Sequence, residues 1–383
     1  MEEINIKPSI IIFSTAYLPF VGGAEIAVKE ITDRINNFQF DMITARLGGK
    51  LPKSERIGNV NVYRIGFGVP MLDKYLLPFW GCFKAHNLHK KKHYRALWSI
   101  MASYAGFGAL FFKIFQPKIP FVLTLQEGDS EKHILKRVGI FYSLWKKIFK
   151  KADYIQAISN YLADFARRYG AVCPIEVVPN GVDINKFTPP NFQKKFSGAK
   201  KAKEEKIIIT VSRLVEKNAV QDIVEAMKYL PENVKLFILG NGLEEKNLKS
   251  LISNLKIKDR VSMFGAISHK ELPKYLARAD IFIRPSLSEG MGNSFIEAMA
   301  AGLPVIGTPV GGIVDFLKDG ETGLFCKVRD PKSIAEKVKM LLADNRLRQK
   351  IISNAQRLVF EKYGWDKISN QMNQLLTQIS KGL

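Results

Sequence analysis

The sequence predicts an α/β protein built from two domains, each with a parallel sheet covered by helices on both faces. Short apolar runs alternate with stretches of helical periodicity along most of the chain, a pattern typical of strand–helix–strand units. A polar, lysine-rich stretch at 191–206 interrupts this alternation, which then restarts. With 383 residues, the chain is long enough to form two hydrophobic cores of ordinary size.

The first half, residues 1–190, opens on an apolar run at 10–13, followed by a glycine pair and a helical pattern at 24–35. These pieces predict a strand, a loop and a helix. Three later apolar runs end in turn residues or lead into helical patterns, and they predict further strands. They lie at 121–125, 154–158 and 175–178.

The second half, residues 207–365, alternates predicted strands and helices before a helical tail at 366–383. Because ligands bind beyond the carboxyl ends of strands in open α/β sheets, we expect the functional residues in the loops that follow the strands. The predicted strands are 207–211, 235–239, 261–264, 281–284 and 304–307, and the predicted helices between them are 219–228, 243–255, 270–279 and 294–301.

Composition and spacing exclude several classes of protein. The longest apolar stretch, 102–112, contains two glycines and is too short to span a bilayer. The N-terminus lacks the basic and apolar regions of a signal peptide, so we expect a cytosolic protein. The three cysteines are too far apart in sequence to suggest a zinc site or a disulfide framework.

The net charge of +22 is distributed unevenly along the chain. Residues 84–151 hold fourteen lysines and arginines against three carboxylates, enough to attract nucleic acid, an anionic membrane or a phosphorylated substrate. Aromatic residues interleaved with these lysines fit either a membrane-contacting surface or a core beneath exposed lysines, and both interpretations stay open. They are Phe111, Phe112, Phe115, Phe141, Trp145 and Phe149.

The segment 285–312 is the richest in functional signals. Glu289 and Glu297 are eight residues apart, and the helical pattern at 294–301 places the first in a loop and the second one turn inside a helix. The amides of a helix N-terminus bind anions, and carboxylates accept hydrogen bonds from sugar hydroxyls. This combination predicts a nucleotide-sugar site, the alternative being a surface helix cap.

Two further motifs suit an anionic ligand. Arg213 and Lys217 follow the first strand of the second half, where cations would stabilise a negatively charged group. Gly22 and Gly23 at the start of a helix allow close approach of the backbone to a phosphate or an acceptor. Taken singly, the cations could be solvated surface charges and the glycines a tight turn.

These motifs, read as FVGGAE, VSRLVEKN, EGMGNSFIEAMAAG and the C-terminal YGWDKISNQM, together resemble retaining glycosyltransferase family 4. The resemblance implies a GT-B fold, in which two Rossmann-like domains face each other across a cleft and the final helix packs back on the first. The first domain would bind the acceptor and the second the donor.

The resemblance also assigns roles to residues. Arg213, Lys217 and Glu289 would be catalytic, with the two cations at the diphosphate and the carboxylate near the donor sugar. Glu297 would bind the ribose, and the other donor-binding residues would be Gly22, Gly23, Gly290, Met291, Gly292 and Asn293.

One departure from the family pattern concerns the acceptor side. Many members carry a histidine in the loop after the strand at 121–125, and here Gln126 stands at that place. We therefore expect Gln126, Glu127 or Asp129 on the acceptor side.

The resemblance implies transfer of a sugar, with retention of configuration, from a nucleoside diphosphate sugar of the UDP or GDP type to a hydroxyl of a glycan or lipid-linked sugar in cell-envelope synthesis. The leaving phosphate oxygen would take the acceptor proton, with no metal and no cofactor. We expect a cytoplasmic enzyme, with attachment to the inner face of the membrane left open. Two other classes also stay open, a nucleoside diphosphate sugar epimerase and a basic nucleic-acid-binding protein, although the latter lacks a recognition motif.

Overall fold

The computed structural model describes residues 7–188 and 205–382. In it the chain divides into two compact units. Residues 191–204 of the predicted linker lie outside the described residues. Within those described, unit 1 takes the residues of Met1–Glu127, Glu131–Asn180 and Trp365–Leu383, and unit 2 takes those of Gly128–Ser130 and Gly181–Gly364.

Unit 1 contains an eight-stranded sheet in the order β3-β4-β2-β1-β5-β6-β7-β8. All neighbouring strands are parallel except β3 and β4. The central strands are buried along their whole length and are mostly apolar, because helices cover both faces of a parallel sheet. The strands are β1 (Ser9–Ser14), β2 (Gln39–Ala45), β3 (Ser54–Ile57), β4 (Val60–Ile65), β5 (Ala96–Ile100), β6 (Phe121–Leu125), β7 (Tyr154–Ala157) and β8 (Ile175–Val177).

The helices of unit 1 include one contributed by the C-terminal end of the chain. The side chain of Arg34 at the end of the first helix pairs with Asp366 at 2.9 Å, and Trp365, Ile368 and Met372 join the buried core. The helices are α1 (Gly23–Arg34), α2 (Pro70–Lys92), α3 (Tyr104–Phe115), α4 (Glu131–Val138), α5 (Tyr142–Lys151), α6 (Asn160–Arg168) and, numbered last, α14 (Trp365–Ser380).

Unit 2 contains a six-stranded parallel sheet in the order β11-β10-β9-β12-β13-β14. The order is that of a Rossmann fold, in which the direction of winding reverses beside the first strand. The strands are β9 (Lys206–Val211), β10 (Val234–Leu239), β11 (Val261–Gly265), β12 (Ile281–Arg284), β13 (Val305–Gly307) and β14 (Leu324–Phe325).

The helices of unit 2 cover both faces of this sheet, so the predicted α/β class with two parallel sheets is confirmed. The helix predicted at 270–279 is shorter than expected and forms only over Leu272–Leu276. The helices are α7 (Ile184–Phe187), α8 (Val220–Ala226), α9 (Glu245–Asn254), α10 (Leu272–Leu276), α11 (Asn293–Ala300), α12 (Pro331–Ala343) and α13 (Asn345–Lys362).

The structure separates the six aromatic residues that the sequence placed among the lysines. Phe112, Trp145 and Phe149 lie in the core, Phe111 is half-buried, and Phe115 and Phe141 are exposed. The membrane-surface interpretation is therefore wrong for the three buried rings, whose side chains fill the space between helices and sheet. Across the described residues, we find no helix that combines the length and the apolar content needed to cross a bilayer.

Candidate functional site

The candidate site of unit 2 lies where β9 and β12 run side by side. This is the point at which the winding of the sheet reverses, and ligands of open α/β sheets bind beyond the carboxyl ends of the strands at such a point. The loop after β9 carries Arg213 and Lys217, and the loop after β12 carries Glu289. The topology thus brings together residues that are more than 70 positions apart in sequence.

Lys217 lies in a short 3-10 turn that hydrogen-bonds to the loop after β12 and to the loop after β6. Its carbonyl accepts a hydrogen bond of 2.7 Å from the amide of Leu287 in the loop after β12. Its Nζ donates to the carbonyl of Gly128 at 2.6 Å and lies 3.1 Å from Oδ1 of Asp129. Burial lowers the pKa of Lys217, while the negative charges of Glu289 and Asp129 act in the opposite direction. The amine is therefore a fixed, largely desolvated cation.

Glu289 is a buried carboxylate, only 8% exposed. Its Oε2 forms an ion pair with Arg284, and its Oε1 accepts a hydrogen bond of 3.2 Å from the amide of Gly290. A methyl group added at Gly128 would lie 3.0 Å from Nζ of Lys217 and 3.3 Å from Oε1 of Glu289. The two predicted residues therefore converge on the same stretch of backbone.

Sequence reasoning missed Arg284, which connects three parts of the site. Its guanidinium donates to Oγ of Ser294 at 3.0 Å and to Oδ1 of Asn218 at 3.1 Å, in addition to its ion pair with Glu289. The sequence did contain a signal for this role. Arg284 ends an otherwise apolar strand, and a charge buried at such a position needs polar partners. Within the part of the chain that is described, its Nε is buried without a hydrogen-bond partner.

The glycines of the loop after β12 allow the chain to turn tightly into α11. Gly292 adopts a φ of 93°, in the left-handed region that favours glycine, immediately before the helix begins at Asn293. Gly311 has a φ of 54°, and any side chain there would overlap the carbonyl of Glu289. Gly311 and Gly312 therefore pack against the loop that carries Glu289, and the amide of Gly312 donates to the carbonyl of Glu289 at 3.1 Å.

Glu297 lies in the second turn of α11, and its side chain is 14% exposed. Its Oε1 lies 2.7 Å from Nε2 of His269, a residue that sequence reasoning did not select. Nδ1 of the same imidazole lies 2.7 Å from Nζ of Lys186. A lysine ammonium can only donate, so Nδ1 accepts and the N–H at Nε2 faces the carboxylate. This contact fixes where Glu297 points.

The remaining predicted donor-side residues are placed as follows. Arg213 is exposed, and its carbonyl accepts hydrogen bonds from Nδ2 of Asn218 at 2.7 Å and from the amide of Val215 at 3.0 Å. Met291 is buried beside Gly290 in the loop before α11. In unit 1, Gly22 precedes α1, which begins at Gly23, and a side chain at Gly22 would meet the carboxylate of Glu25.

The three predicted acceptor-side residues have different environments. Oε1 of Gln126 accepts from Nδ2 of Asn180 at 3.2 Å, and Asp129 pairs with Lys217. Glu127 accepts hydrogen bonds from the amides of Ala102 at 2.7 Å and Gln126 at 2.9 Å. Burial raises the pKa of Glu127, and these backbone donors oppose that shift. The Glu127 carboxylate thus stabilises the backbone around it through these hydrogen bonds. The acceptor-side role of Gln126, Glu127 and Asp129 stays a prediction.

Over residues 7–188 and 205–382, no group of three His, Cys, Asp or Glu side chains could hold a metal ion. Beside the carboxylate of Glu289 lie the ammonium of Lys217, the guanidinium of Arg284 and the amide of Gly290. Hydrogen-bond donors of these kinds suit an anionic ligand.

Comparisons with known proteins agree with this chemistry. The family described as "Glycosyl transferases group 1" matches residues 191–377, and the one described as "Glycosyltransferase Family 4" matches residues 21–186. An uncharacterized glycosyltransferase of Methanocaldococcus jannaschii is 28% identical in an alignment that covers 92% of this chain and 93% of that protein. A GDP-mannose-dependent alpha-(1-6)-phosphatidylinositol monomannoside mannosyltransferase of Mycobacterium tuberculosis is 28% identical over 61% of this chain and 64% of its own length.

Two solved structures are similar to this chain over nearly its whole length. Sucrose-phosphate synthase from Thermosynechococcus elongatus matches with a TM-score of 0.85 and 22% identity, covering 98% of this chain and all of its own. HepE from Anabaena, in complex with UDP-glucose, matches with a TM-score of 0.80 and 19% identity, covering 97% of this chain and 99% of its own. These likenesses confirm the predicted GT-B fold.

Proposed function

Because this chain belongs to the group 1 glycosyltransferases of family 4, we propose that it transfers a sugar from a nucleoside diphosphate donor to an acceptor hydroxyl, with retention of the anomeric configuration. The observation that carries the proposal is the convergence of Lys217 and Glu289 at the reversal point of the unit 2 sheet, beside the N-terminus of α11. The proposed donor is of the UDP or GDP type. Its support is that HepE was solved with UDP-glucose and that the mannosyltransferase relative is named as GDP-mannose-dependent.

Lys217 and the exposed Arg213 neutralise the diphosphate in this proposal. The bond between sugar and diphosphate breaks with growth of negative charge on the leaving oxygen, so a cation fixed before the reaction stabilises the transition state more than the ground state. Lys217 is fixed in this sense, because its Nζ is held by Gly128 and Asp129. With these cations and the amides at the start of α11, the reaction requires no metal.

Glu289 faces the donor sugar and Glu297 binds the ribose. Arg284 neutralises and orients Glu289, which leaves the carboxylate able to accept hydrogen bonds from sugar hydroxyls or to stabilise positive charge at the anomeric carbon. A carboxylate accepts two hydroxyl groups at once, which matches the adjacent hydroxyls of a ribose. His269 donates to Glu297 and positions it for this contact.

The acceptor oxygen attacks on the face from which the diphosphate leaves, and its proton passes to the leaving phosphate oxygen. No side chain then has to act as a general base, and the rate comes from positioning and from stabilisation of charge.

The acceptor is a hydroxyl of a glycan or lipid-linked sugar of the cell envelope, on the side of Gln126, Glu127 and Asp129. The support is the name of the mannosyltransferase relative, which acts on a phosphatidylinositol monomannoside. We place the enzyme in the cytoplasm, and fractionation of the source cells tests this location.

A donor panel tests the proposal first. Thermal unfolding is followed with UDP-, GDP- and ADP-sugars, since a donor that binds the folded state raises the melting temperature by mass action. The matched donor is then incubated, in EDTA, with candidate acceptors, and the anomeric configuration of the product is determined by NMR. A product with inverted configuration, a strict metal requirement, or an epimerised donor formed without acceptor would each contradict the corresponding part of the proposal.

A further inference from the structure

Helix α2 of unit 1 exposes apolar side chains on the side that faces away from the protein. Leu77, Gly81 and Ala85 pack inward, where α2 contacts α3 and β2. On a typical surface helix the opposite side is polar. Here it carries what we call the aromatic face, made of Met71, Leu72, Tyr75, Phe79, Trp80 and Phe83.

The exposed fractions of this face are large. Phe79 is 65% exposed, Phe83 70% and Trp80 47%. Single exposed apolar residues are ordinary, but a contiguous exposed apolar patch marks a surface that binds something. The patch extends beyond α2, because the ring of Phe79 lies 5.4 Å from that of Phe111 on α3, whose final residue, Phe115, is also exposed.

An apolar cavity of about 210 Å³ opens beside the aromatic face. Tyr75 and Phe79 of α2, Phe107 of α3, Phe141 and Trp145 line it. Phe141 is 56% exposed and lies between α4 and α5, so these two helices border the same apolar region as α2.

Helices α4 and α5 are strongly basic. Across 131–151 seven lysines and arginines stand against the single carboxylate of Glu131. Near an anionic membrane surface each such cation strengthens binding roughly fivefold. The exposed cations of these helices are Lys132, Lys136, Arg137, Lys147, Lys150 and Lys151.

We propose that unit 1 binds the surface of an anionic lipid bilayer, with the aromatic face entering the headgroup region and the lysines of α4 and α5 contacting lipid phosphates. Phenylalanines with tryptophan and tyrosine on one face, bordered by lysines, are the composition of an interfacial surface. A nucleic acid would account for the cations but not for a patch that also contains Met71 and Leu72. The inference goes beyond the proposed function, because it requires neither donor nor acceptor.

The first experiment is sedimentation of the full chain with vesicles of phosphatidylcholine, with and without phosphatidylglycerol. We expect binding to the anionic vesicles that weakens as salt is raised. The double variant Phe79→Ser/Phe83→Ser should bind at least tenfold more weakly, because it removes two inserted rings. Phe360→Ser is the matched control, since this ring is 44% exposed on unit 2, and it should bind like the parent chain.

A second measurement reports insertion directly. Quenching of tryptophan fluorescence by vesicles with brominated lipid chains should be strong in the parent chain and largely lost in Trp80→Phe, because the other tryptophans are buried. Far-UV circular dichroism and the melting temperature of each variant, compared with those of the parent chain, show that the variants are folded.

Three results would overturn the inference. The parent chain could fail to sediment with anionic vesicles at low salt. The double variant could bind as well as the parent, which would leave charge alone as the cause. Analytical ultracentrifugation could show a dimer that Phe79→Ser/Phe83→Ser dissociates, which would assign the aromatic face to a second copy of the chain.

Discussion

Replacement of Lys217 by methionine tests the central feature of the site. Methionine keeps most of the length of the side chain and removes the charge. In the parent protein Nζ is held 2.6 Å from the carbonyl of Gly128 and 3.1 Å from Asp129. In the proposed reaction the cation therefore need not reorganise when charge develops on the diphosphate. Loss of one preset electrostatic group of this kind lowers kcat by roughly 10²- to 10³-fold, equivalent to about 2.7–4 kcal/mol of transition-state stabilisation.

The assay is initial-rate transfer from radiolabelled donor at saturating acceptor, with kcat and KM determined separately. We expect the loss in kcat to exceed the change in KM for the donor, because the charge matters most in the transition state. Lys246→Met removes an exposed lysine of α9 and is the matched control, with unchanged rates. A rate for Lys217→Met within a few-fold of the parent would remove Lys217 from the mechanism.

The same residue predicts a pH dependence. Burial lowers the pKa of Lys217, so the amine loses its proton at a pH below the ordinary lysine range. Activity should therefore fall as pH rises through that lowered pKa. Lys217→Arg, which stays charged, should move the fall to higher pH even if its basal rate is lower. An alkaline limb that is identical in Lys217→Arg would refute this assignment.

Further predictions concern unit 2. Glu297→Gln should weaken nucleotide binding about tenfold in calorimetry. His269→Ala should weaken it less, because this variant removes only the contact that positions Glu297. A nucleotide affinity of Glu297→Gln equal to that of the parent would exclude the ribose role. Arg284→Met should lower both kcat and the melting temperature, because it leaves the buried carboxylate of Glu289 without its ion-pair partner, and an unchanged melting temperature would contradict this. Burial raises the pKa of Asp222 to about 6, so the folded state holds this proton more tightly than the unfolded state and stability should fall as pH rises from about 4 to about 6. Asp222→Asn should remove that dependence and raise the free energy of unfolding at pH 7 by about 1–3 kcal/mol in urea titrations, and no gain at pH 7 would count against it.

The parts of the site that sequence predicted are those whose chemistry is local. Glu289 and Glu297 could be placed relative to the start of α11 because a loop of glycines and a helical period fix their spacing within one segment. Arg284 and His269 could not be assigned a role in this way. Their roles arise from contacts with Glu289 and Glu297, and His269 is 28 residues from its partner in the chain.

The aromatic face of α2 shows a similar limit. The helical pattern across 70–92 is obscured, because apolar residues lie on both the buried and the exposed sides of the helix and Pro78 stands within it. Periodicity identifies a core-facing side only when the opposite side is polar. The basic character of 84–151 was evident from composition, but which aromatic rings accompany it at the surface depended on how the helices pack.

The sequence by itself determined the α/β class and the position of the two sheets along the chain, and it predicted which loops carry the basic and acidic side chains of the candidate site. Each of these follows from periodicity or from chemistry within a short segment. The tertiary structure decided which of those residues meet. Lys217 and Glu289 converge because β9 and β12 are neighbours in the sheet, and Arg284 and His269 contact Glu289 and Glu297 because of the way side chains pack around these two carboxylates. Strand order and side-chain packing depend on the whole folded chain, so they could not be predicted from any single segment of the sequence.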